Sequence, residues 1–461
     1  MPKQRKSKEE ESMQMNCVRK TELSYHDVAP VQDSIEKEYY QDVSSESTTP
    51  NARTLEFNIG AAASNVFLDP AKSYLKIRVR VKNANPESDL NDTTENLGAK
   101  LSLVNNFFHT LFSNIDVSLN DVFVTRSYSN YGYKAYMQNL LTYSKDVKDN
   151  GFLICEGWKT DEDTKYEDFT SQSIVARRNW VKGKKTLELA ATLKCDLFQQ
   201  HKLIPSQVNV KIRCVRSDNN FALLDLCTKA KADMPSNQGK YEIIIDSAVF
   251  RARRVQITQQ EEFRLIKELQ VEPYRIPVRR TDVTVQTVAP GVRNVTIERV
   301  HDGQLPRLLL VALVDSTAYN ASINKNPYLF GQYNVESMAI YVNGVMHPTR
   351  PFQPDFKNGM YTDTYIALCN VIGSWRNNHI PGGLSYNSFR GGAAIYPFSI
   401  APETNTSNCD FINPYQTGNV SLEIKFNDAV PDHGLNVILY SEFDGNNIFI
   451  GETRQVTTDY Q

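Results

Sequence analysis

The sequence has few cysteines and no pairing pattern among them. Seven occur in 461 residues, an odd count without a C-x-x-C pair, which is poor material for disulfide bonds or a redox site. We therefore expect reduced, mostly buried thiols. The cysteines are Cys17, Cys155, Cys195, Cys214, Cys227, Cys369 and Cys409.

Long apolar runs and charge of one sign are also missing. No stretch approaches the roughly 18 uninterrupted apolar residues of a membrane span, and the N-terminal MPKQRKSKEEES has no apolar region of the kind found in secretory signals. Lys and Arg together number 51, against 53 for Asp and Glu. We expect a protein made in soluble form inside the cell, with no membrane span and no sequence-specific binding of nucleic acid.

Motifs for phosphate binding, nucleophilic catalysis and metal binding are absent. The turn around Gly183 is rich in lysine but lacks the glycine five residues earlier that a phosphate-binding loop requires. The segment around Ser385 lacks the second glycine of G-x-S-x-G. The seven histidines form neither H-x-H nor H-E-x-x-H, and we expect His109 to be a packing and hydrogen-bonding residue. The sequence thus predicts no catalytic residue, no metal site and no cofactor.

Charged runs are the remaining candidates for chemistry. The pair Glu261-Glu262 and the run Asp161-Glu162-Asp163 could act as general acid and base only if the fold brought two carboxylates together. We expect both runs to be solvated.

Two basic clusters could contact phosphates or carboxylates. On a strand, Arg251 and Arg253 would share one face and Arg254 would take the other, which favours ion pairs on the surface or between subunits. For Arg279-Arg280 we likewise expect ion pairs on the surface or between subunits. The 23 tyrosines are not arranged in an RNP-like strand motif, so stacking on single-stranded nucleic acid is weakly supported.

The dominant positive signal is period-two alternation, which is typical of strands with one buried face. In TLEFNIG, Leu55, Phe57 and Ile59 point one way, and YLKIRVRV (74–81) alternates likewise. RLLLVALVD (307–315) is continuously apolar and is expected deep between two layers. Further strands are predicted at 186–193, 208–217, 241–250, 282–288, 419–426 and 435–443.

Turn and helix signals recur in a fixed order. Two-residue hairpin turns are predicted at Asn120-Asp121, Asn343-Gly344 and Asp444-Gly445. Apolar residues at helical spacing predict helices around residues 133–141 and 361–372, each a short distance after one of the first two turns. An apolar strand, an aromatic loop, a hairpin and a helix thus occur twice, which indicates a duplicated β-domain.

The chain is too long for one core, so we predict an N-terminal arm at 1–50, a first domain at 51–255 and a second at 256–461. The arm is polar, with a basic start followed by Glu9, Glu10 and Glu11.

Several stretches together resemble the hexon-like, double jelly-roll major capsid proteins of Polinton or Maverick elements and their adintovirus relatives. VNNFFHTLFSNIDVSLND (104–121) and the following YGYKAYMQNLLTYS are similar to the first jelly roll. SMAIYVNGVMHP, SFRGGAAIYPFSIAP (388–402), GNVSLEIKF and LNVILYSEFDGNNIFIGETRQVTTDY look like the second, and TELSYHDVAPVQDSIEKEYY (21–40) resembles the segment before the first strand. Asn120-Asp121 departs from the stronger hairpin pair Asn-Gly.

The resemblance implies an all-β chain of two tandem eight-stranded jelly rolls with short helices in the loops between strands. It further implies a homotrimer that forms a pseudo-hexagonal capsomer in the icosahedral virion of a double-stranded DNA virus or virus-like element, since three subunits with two barrels each present six similar corners. Neighbouring capsomers, penton and other minor capsid proteins would be the partners. The stretch 376–419 would form tower, rim or inter-subunit surfaces, and the arm would lie under the shell.

Two alternatives remain open from the residues. A two-domain β-sandwich lectin or adhesin, a glycan-binding protein, would be expected to carry a secretory signal and disulfides. A jelly-roll glycan hydrolase or amidase would need a pair of buried carboxylates in a cleft.

Overall fold

We describe the chain from a computed structural model. The structure describes residues 32–46, 52–83, 101–125, 130–168, 170–182, 185–225, 241–373, 384–401 and 413–460. The predictions made for residues 1–31, for Gly183, and for 376–383 and 402–412 of the long loop stretch lie outside these residues.

Strands are the commonest secondary structure of the described chain, and all of their named pairings are antiparallel. Those of the first half are β1 Ile35–Ser44, β2 Thr54–Ile59, β3 Val66–Asn83, β4 Leu101–Leu103, β5 Phe112–Leu119, β6 Val122–Phe123, β7 Leu187–Ala191, β8 Val210–Arg216, β9 Leu223–Asp225 and β10 Tyr241–Ile257. Those of the second half are β11 Tyr274–Val288, β12 Asn294–Gln304, β13 Leu308–Asp315, β14 Val335–Val342, β15 Val345–Phe352, β16 Ile395–Ser399, β17 Thr417–Phe426, β18 Leu435–Ile450 and β19 Val456–Thr458.

The two halves have the same strand order. In the first half one sheet runs β1-β10-β3-β7 and the other runs β2-β8-β5-β6; in the second half the sheets run β11-β18-β13-β16 and β12-β17-β14-β15. If the short β4–β9 pair and β19 are set aside, each half has eight main strands. Both halves then combine the first, eighth, third and sixth in one sheet and the second, seventh, fourth and fifth in the other. This is the double jelly roll, so the predicted fold class is confirmed.

Short helices occupy the connections between strands, as predicted. The two that the sequence predicted, α2 and α8, both lie between the fifth and sixth main strands of their own half. The helices are α1 Phe107–Thr110, α2 Tyr131–Thr142, α3 Lys145–Asn150, α4 Gln172–Val181, α5 Asn219–Ala222, α6 Gln259–Val271, α7 Ser316–Tyr319, α8 Thr362–Val371 and α9 Tyr386–Gly391; short 3-10 helices span Phe152–Glu156 and Asp196–Gln199.

The alternating strands bury the predicted faces. Leu55, Phe57 and Ile59 of β2 are buried while their neighbours Glu56 and Asn58 are exposed. Strand β13 is different because its first seven residues, on both faces, are all buried. This position between two layers explains why its sequence is continuously apolar.

The first two predicted hairpins are confirmed, and they match in side-chain detail. Both central residues of each turn have positive φ, which is the geometry of a two-residue type I′ turn. In the first, Asn120 makes two hydrogen bonds with the backbone of Asn209. Asn120 Oδ1 accepts from the backbone N–H of Asn209 at 2.8 Å, and the backbone N–H of Asn120 donates to the Asn209 carbonyl at 3.0 Å. In the second, Asn343 makes the same two bonds to Asn419, both at 2.9 Å. The duplication therefore extends to the turn residues and their neighbours.

The third predicted hairpin was wrong. Asp444 and Gly445 lie inside β18, opposite the single residue Arg279 of β11, because Val278 pairs with Asn446 and Arg280 with Phe443. This is a β-bulge, in which Gly445 adopts a φ of 84°. An Asp-Gly pair supplies positive φ to a bulge as readily as to a turn, so local sequence does not separate the two.

The domain bounds 1–50, 51–255 and 256–461 stay a prediction. Strand β1, which falls within the predicted arm, pairs along its length with β10 as an edge strand, and β10 continues to Ile257.

Candidate functional site: the junction between the two barrels

The two barrels contribute to each other's core. Four residues of α2, in a loop of the first barrel, pack into the hydrophobic cluster of the second barrel around β13: Tyr133, Tyr136, Met137 and Leu140. In return, the ends of β11 and β18 supply residues to the cluster of the first barrel: Ile276, Val278, Ile448 and Ile450. Each barrel therefore completes its core with residues of the other.

Aromatic rings form the centre of this junction. Tyr136 stacks on Tyr328 with centroids 4.1 Å apart and planes 3° from parallel, and its ring centroid lies 5.1 Å from that of Trp158. The hydroxyl of Tyr328 lies 2.9 Å from Thr110 Oγ1, across the same boundary. The offset and edge geometries around Tyr328 add directional contacts to the burial of large rings.

An ion pair of the first barrel also binds the backbone of the second barrel. Lys134 Nζ of α2 lies 2.5 Å from Asp196 Oδ1 and donates to the Thr281 carbonyl of β11 at 3.2 Å, while the amide of Thr281 donates to Asp196 Oδ2 at 3.3 Å. Burial raises the pKa of Asp196, although the nearby Lys134 ammonium acts in the opposite direction. These groups line a cavity of about 40 Å³ between the barrels.

His109 lies in a closed polar network, as expected for a packing and hydrogen-bonding residue. Its Nδ1 is 2.9 Å from the Tyr131 hydroxyl and its Nε2 is 3.1 Å from Glu156 Oε2. Since the Tyr131 oxygen accepts the amide of Lys194 at 3.1 Å, the network is satisfied when the hydroxyl donates to Nδ1 and neutral His109 donates through Nε2 to Glu156.

Burial and charge set the protonation states in this network. Burial lowers the pKa of His109, more strongly than Glu156 raises it. Burial alone would raise the pKa of Glu156, but the hydrogen bond from His109, with help from Lys194 and Asn139, leaves that pKa lowered. Because the imidazole is fully buried and both of its nitrogens are bonded to protein groups, we assign His109 a structural role.

The prediction that the run 161–163 is solvated was wrong for Asp161. Its carboxylate is almost fully buried and forms an ion pair with Arg177 at 2.6 Å, and Arg177 also donates to the carbonyls of Leu103 and Lys159. Ser173 and Asn105 donate to the same carboxylate. Helix α4 places Arg177 there, and nothing local in the sequence marks the pair.

A cleft of about 1090 Å³ lies between the barrels, and it contains carboxylates. Glu442 accepts from Arg307 Nε at 3.0 Å, with a second bond from Nη2, and from the Tyr440 hydroxyl at 3.0 Å. Asp444 accepts from Arg279 at 3.1 Å and from Asn413 at 2.9 Å. All four of these carboxylate oxygens are thus bonded to protein donors, which is the environment of structural ion pairs.

The basic cluster on β10 holds the edge strand β1. Arg251 Nε donates to Asp42 at 2.8 Å and Arg253 donates to Glu38, with the ring of Tyr40 between them. Arg254 lies on the opposite face, as the strand periodicity predicted, and donates to Gln41 Oε1 at 2.9 Å. Arg251 and Arg253 thus form surface ion pairs, whereas Arg254 is buried and also donates to the Gly60 carbonyl at 2.8 Å.

The other candidates also have local structural roles. Ser385 is the N-cap of α9, where its hydroxyl accepts from the Ser388 amide at 3.0 Å. Glu261 pairs with Arg264 one turn along α6. Arg280 lies 4.1 Å from the ring centroid of Phe443.

Among the four described cysteines, three are buried and Cys155 is exposed, and burial raises the pKa of Cys195 to about 12.

Within the described ranges, no group of three or more His, Cys, Asp or Glu side chains could hold a metal ion. No helix in this part of the chain is both long and apolar enough to cross a membrane.

Comparison with known sequences gives one distant relative. The uncharacterized protein F54H12.2 of Caenorhabditis elegans is 26% identical over 346 residues, which cover 74% of this chain and 78% of that protein. No protein-family model matches the sequence.

Comparison with solved structures is more informative about the fold. A chain of the Sputnik virophage superposes with a TM-score of 0.65 at 11% identity, covering 96% of this chain and 92% of that one. The PBCV-1 virus capsid gives 0.56 at 9% identity, with 95% and 100% covered. The mavirus major capsid protein gives 0.51 at 10% identity, with 96% of each covered. This chain has the fold of viral capsid proteins. These neighbours are structural proteins and not enzymes.

The sequence did not predict the contacts between the two barrels. The helical spacing of Tyr133, Tyr136 and Met137 indicated an amphipathic helix, but its apolar face is buried partly in the other barrel. A pattern along the chain identifies which face of a helix is apolar; the partner is set by contacts about 190 residues away, such as Tyr136 with Tyr328.

Proposed function

We propose that the protein is a major capsid protein of an icosahedral double-stranded DNA virus or virus-like element. Three copies would form a pseudo-hexagonal capsomer. The observation that carries the proposal is the identical strand order of the two barrels, including the equivalent Asn120 and Asn343 turns. Three chains with two equivalent barrels each present six similar corners, so that a three-fold object fits a site of local six-fold symmetry.

The reciprocal cores support a rigid subunit. Because α2 packs into the second barrel and the ends of β11 and β18 pack into the first, the barrels keep a fixed relative position. A capsomer needs this property, since the spacing of its corners must match the lattice. A flexible pair of domains would not maintain it.

The finer assignment to Polinton or Maverick elements and adintoviruses rests on the sequence resemblance. The fold likeness to the mavirus major capsid protein is consistent with it. An element integrated into animal genomes would also account for a related protein in an animal, Caenorhabditis elegans. In this proposal the protein is made in soluble form in the host cell and resides in the virion. Its partners are neighbouring capsomers and a separate penton protein.

The test is the solution mass of the full chain, measured by light scattering coupled to gel filtration. The proposal predicts a species of three times the 52.4 kDa chain mass that persists on dilution, because obligate interfaces exceed about 2,000 Å². Negative-stain electron microscopy of that species should show hexagonal outlines. A monomer at all concentrations would contradict the capsomer, and a stable dimer would contradict the three-fold arrangement.

The arm of residues 1–50 has a proposed role under the shell, where it would tie neighbouring capsomers or minor capsid proteins together. Its polar composition supports this. Expression of chains with and without residues 1–31, with the other capsid proteins, is the test. Normal closed shells from the shortened chain would contradict the role.

A further inference from the structure

The contacts between the two barrels join different surfaces of the repeated unit. The first barrel contributes its β5–β6 hairpin, where Asn120 Nδ2 donates to the Arg454 carbonyl at 2.8 Å, and the start of α2, where Asn130 Nδ2 donates to the Val283 carbonyl at 3.2 Å. The second barrel contributes its first strand, β11, and the segment after its eighth main strand, β18. Such a contact is heterologous, so each barrel retains its own copy of the surface that the other barrel uses.

The first barrel has a counterpart of the covered surface. We call it the strand face and define it as β1 and α6. Strand β1 is the first main strand of its half, as β11 is of the other half, yet no residue of β1 is buried, whereas seven of the fifteen residues of β11 are. Helix α6 follows the eighth main strand of its half, as the segment 451–460 does in the other, and its Phe263 is 67% exposed. Among the described residues, the strand face therefore lacks the cover that β11 receives.

The second barrel has a counterpart of the covering surface. We call it the hairpin face and define it as the β14–β15 hairpin, Met360 and α8. Val122, just after the first turn, packs against the core cluster of the first barrel, whereas its counterpart Val345 is 70% exposed. The Nδ2 of Asn343 has no partner among the described residues to match the carbonyl that Asn120 binds. Three of the ten residues of α8 are exposed, against one of the twelve of α2. The hairpin face is thus uncovered in the single chain.

Exposed apolar side chains concentrate on these two faces. Twelve large apolar side chains are exposed in the described chain. Three of them lie on β1, three on α6 and two, Val345 and Met360, on the hairpin face. Since apolar surface that one chain leaves in contact with water is typical of a binding surface, both faces are expected to be covered in an assembly.

We infer that the hairpin face of one copy binds the strand face of the next copy, which repeats between chains the contact that joins the barrels within each chain. The inference rests on the proposed capsomer, for which it names the contact between subunits. Val345 would lie beside α6 and the start of β1, as the first hairpin lies beside the segment after β18. Because one relation then links every barrel to the next, three copies close into a ring of six barrels that leaves neither face uncovered.

Cross-linking of the full-length protein tests the contact. Arg454 lies four residues after Ile450, the end of β18, and Glu261 lies four residues after Ile257, the end of β10. Val345→Cys combined with Glu261→Cys, in a Cys155→Ser background, should therefore be joined between chains by a short bismaleimide. Peptide mass spectrometry should identify the link between positions 345 and 261, and the products should contain two and three chains but no more.

The control for the cross-link uses an equally exposed position outside both faces. Phe123, in the β5–β6 hairpin, is 66% exposed, and Phe123→Cys with Glu261→Cys should give no link between these two positions. The inference is overturned if positions 345 and 261 are not joined between chains, or if the products grow beyond three chains.

Light scattering separates failure of this contact from failure of the proposed function. Val345→Asp and Phe263→Asp should each raise the protein concentration at which trimers dissociate by roughly tenfold or more, with the circular dichroism spectrum of the parent. Phe123→Asp should remain as trimeric as the parent. A parent trimer that persists unchanged in both face variants overturns this contact and leaves the capsomer standing, whereas a parent that is monomeric at all concentrations overturns both.

Discussion

Tyr136 and Tyr328 stack with their ring centroids 4.1 Å apart and their planes 3° from parallel, although one belongs to a loop helix of the first barrel and the other to the second barrel. Both rings are buried. The contact makes the packing of each barrel dependent on the other. It is the clearest reason to treat the two barrels as one folding unit.

Replacing Tyr136 by Ala should destabilise the whole chain by roughly 3–5 kcal/mol, because a large buried ring of the first barrel is removed from the core of the second. Tyr133→Phe is the matched comparison on the same helix. The Tyr133 hydroxyl is buried and has no hydrogen-bond partner among the described residues, so its removal should leave stability unchanged or slightly increased. Urea unfolding followed by circular dichroism measures the free energy of unfolding of both variants. Equal losses for the two variants would contradict the assigned role of the stack.

Asp161→Ala should cost roughly 3–5 kcal/mol, since it leaves the guanidinium of Arg177 buried without its carboxylate. The double variant Asp161→Leu with Arg177→Met should recover much of that loss, because it removes both charges. Glu188→Ala is the control: its carboxylate pairs with Lys76 and Arg78 on an exposed sheet face, and stability should barely change. Chemical unfolding of the parent and the three variants measures these changes in the free energy of unfolding. A double variant as unstable as Asp161→Ala would contradict the charge argument.

Lys148 should make stability depend on pH. Its ammonium is buried, which lowers its pKa from 10.5 to about 7, with a smaller opposite effect from Asp149. Between pH 7 and 10.5 the unfolded chain binds the proton and the folded chain does not, so raising the pH through this range favours the folded state, by at most about 1.4 kcal/mol per pH unit. Below pH 7 both states are protonated and the full penalty persists.

Lys148→Met should therefore be more stable than the parent at pH 6, and its advantage should shrink as the pH rises toward 10. Unfolding free energies at four or five pH values test this. Lys145→Met, on the same helix but at a more exposed position, controls for the loss of a lysine. Parallel pH profiles for parent and Lys148→Met would contradict the assigned pKa.

Substitutions at the equivalent turn positions Gly344 and Asp121 should change stability in opposite directions. Gly344 has a φ of 81°, and the space that a Cβ would occupy is open, so Gly344→Ala should cost about 1 kcal/mol from backbone strain alone. At the matching position Asp121 has a φ of 65°, so Asp121→Gly should relieve strain and raise the thermal midpoint slightly. Differential scanning calorimetry compares the two. A lower midpoint for Asp121→Gly would show that its contact with Lys211 outweighs the turn geometry.

Where a local pattern specified structure, the prediction from sequence succeeded. Alternation in β2 and β3, the continuous apolar run of β13 and the positive-φ pairs at Asn120-Asp121 and Asn343-Gly344 each define geometry over a few residues. The pair Asp444-Gly445 shows the limit, since the same local preference served a bulge.

The sequence by itself determined the strand periodicity, the two turns and the repeated order of elements, because each of these depends on neighbours a few positions apart. Only the tertiary structure decided that Tyr136 meets Tyr328, that Asp161 is buried with Arg177 and that the cleft carboxylates Glu442 and Asp444 bind arginines. The physical reason is that burial and charge pairing depend on which distant segments the fold brings together, and one sequence carries no local signal of those contacts.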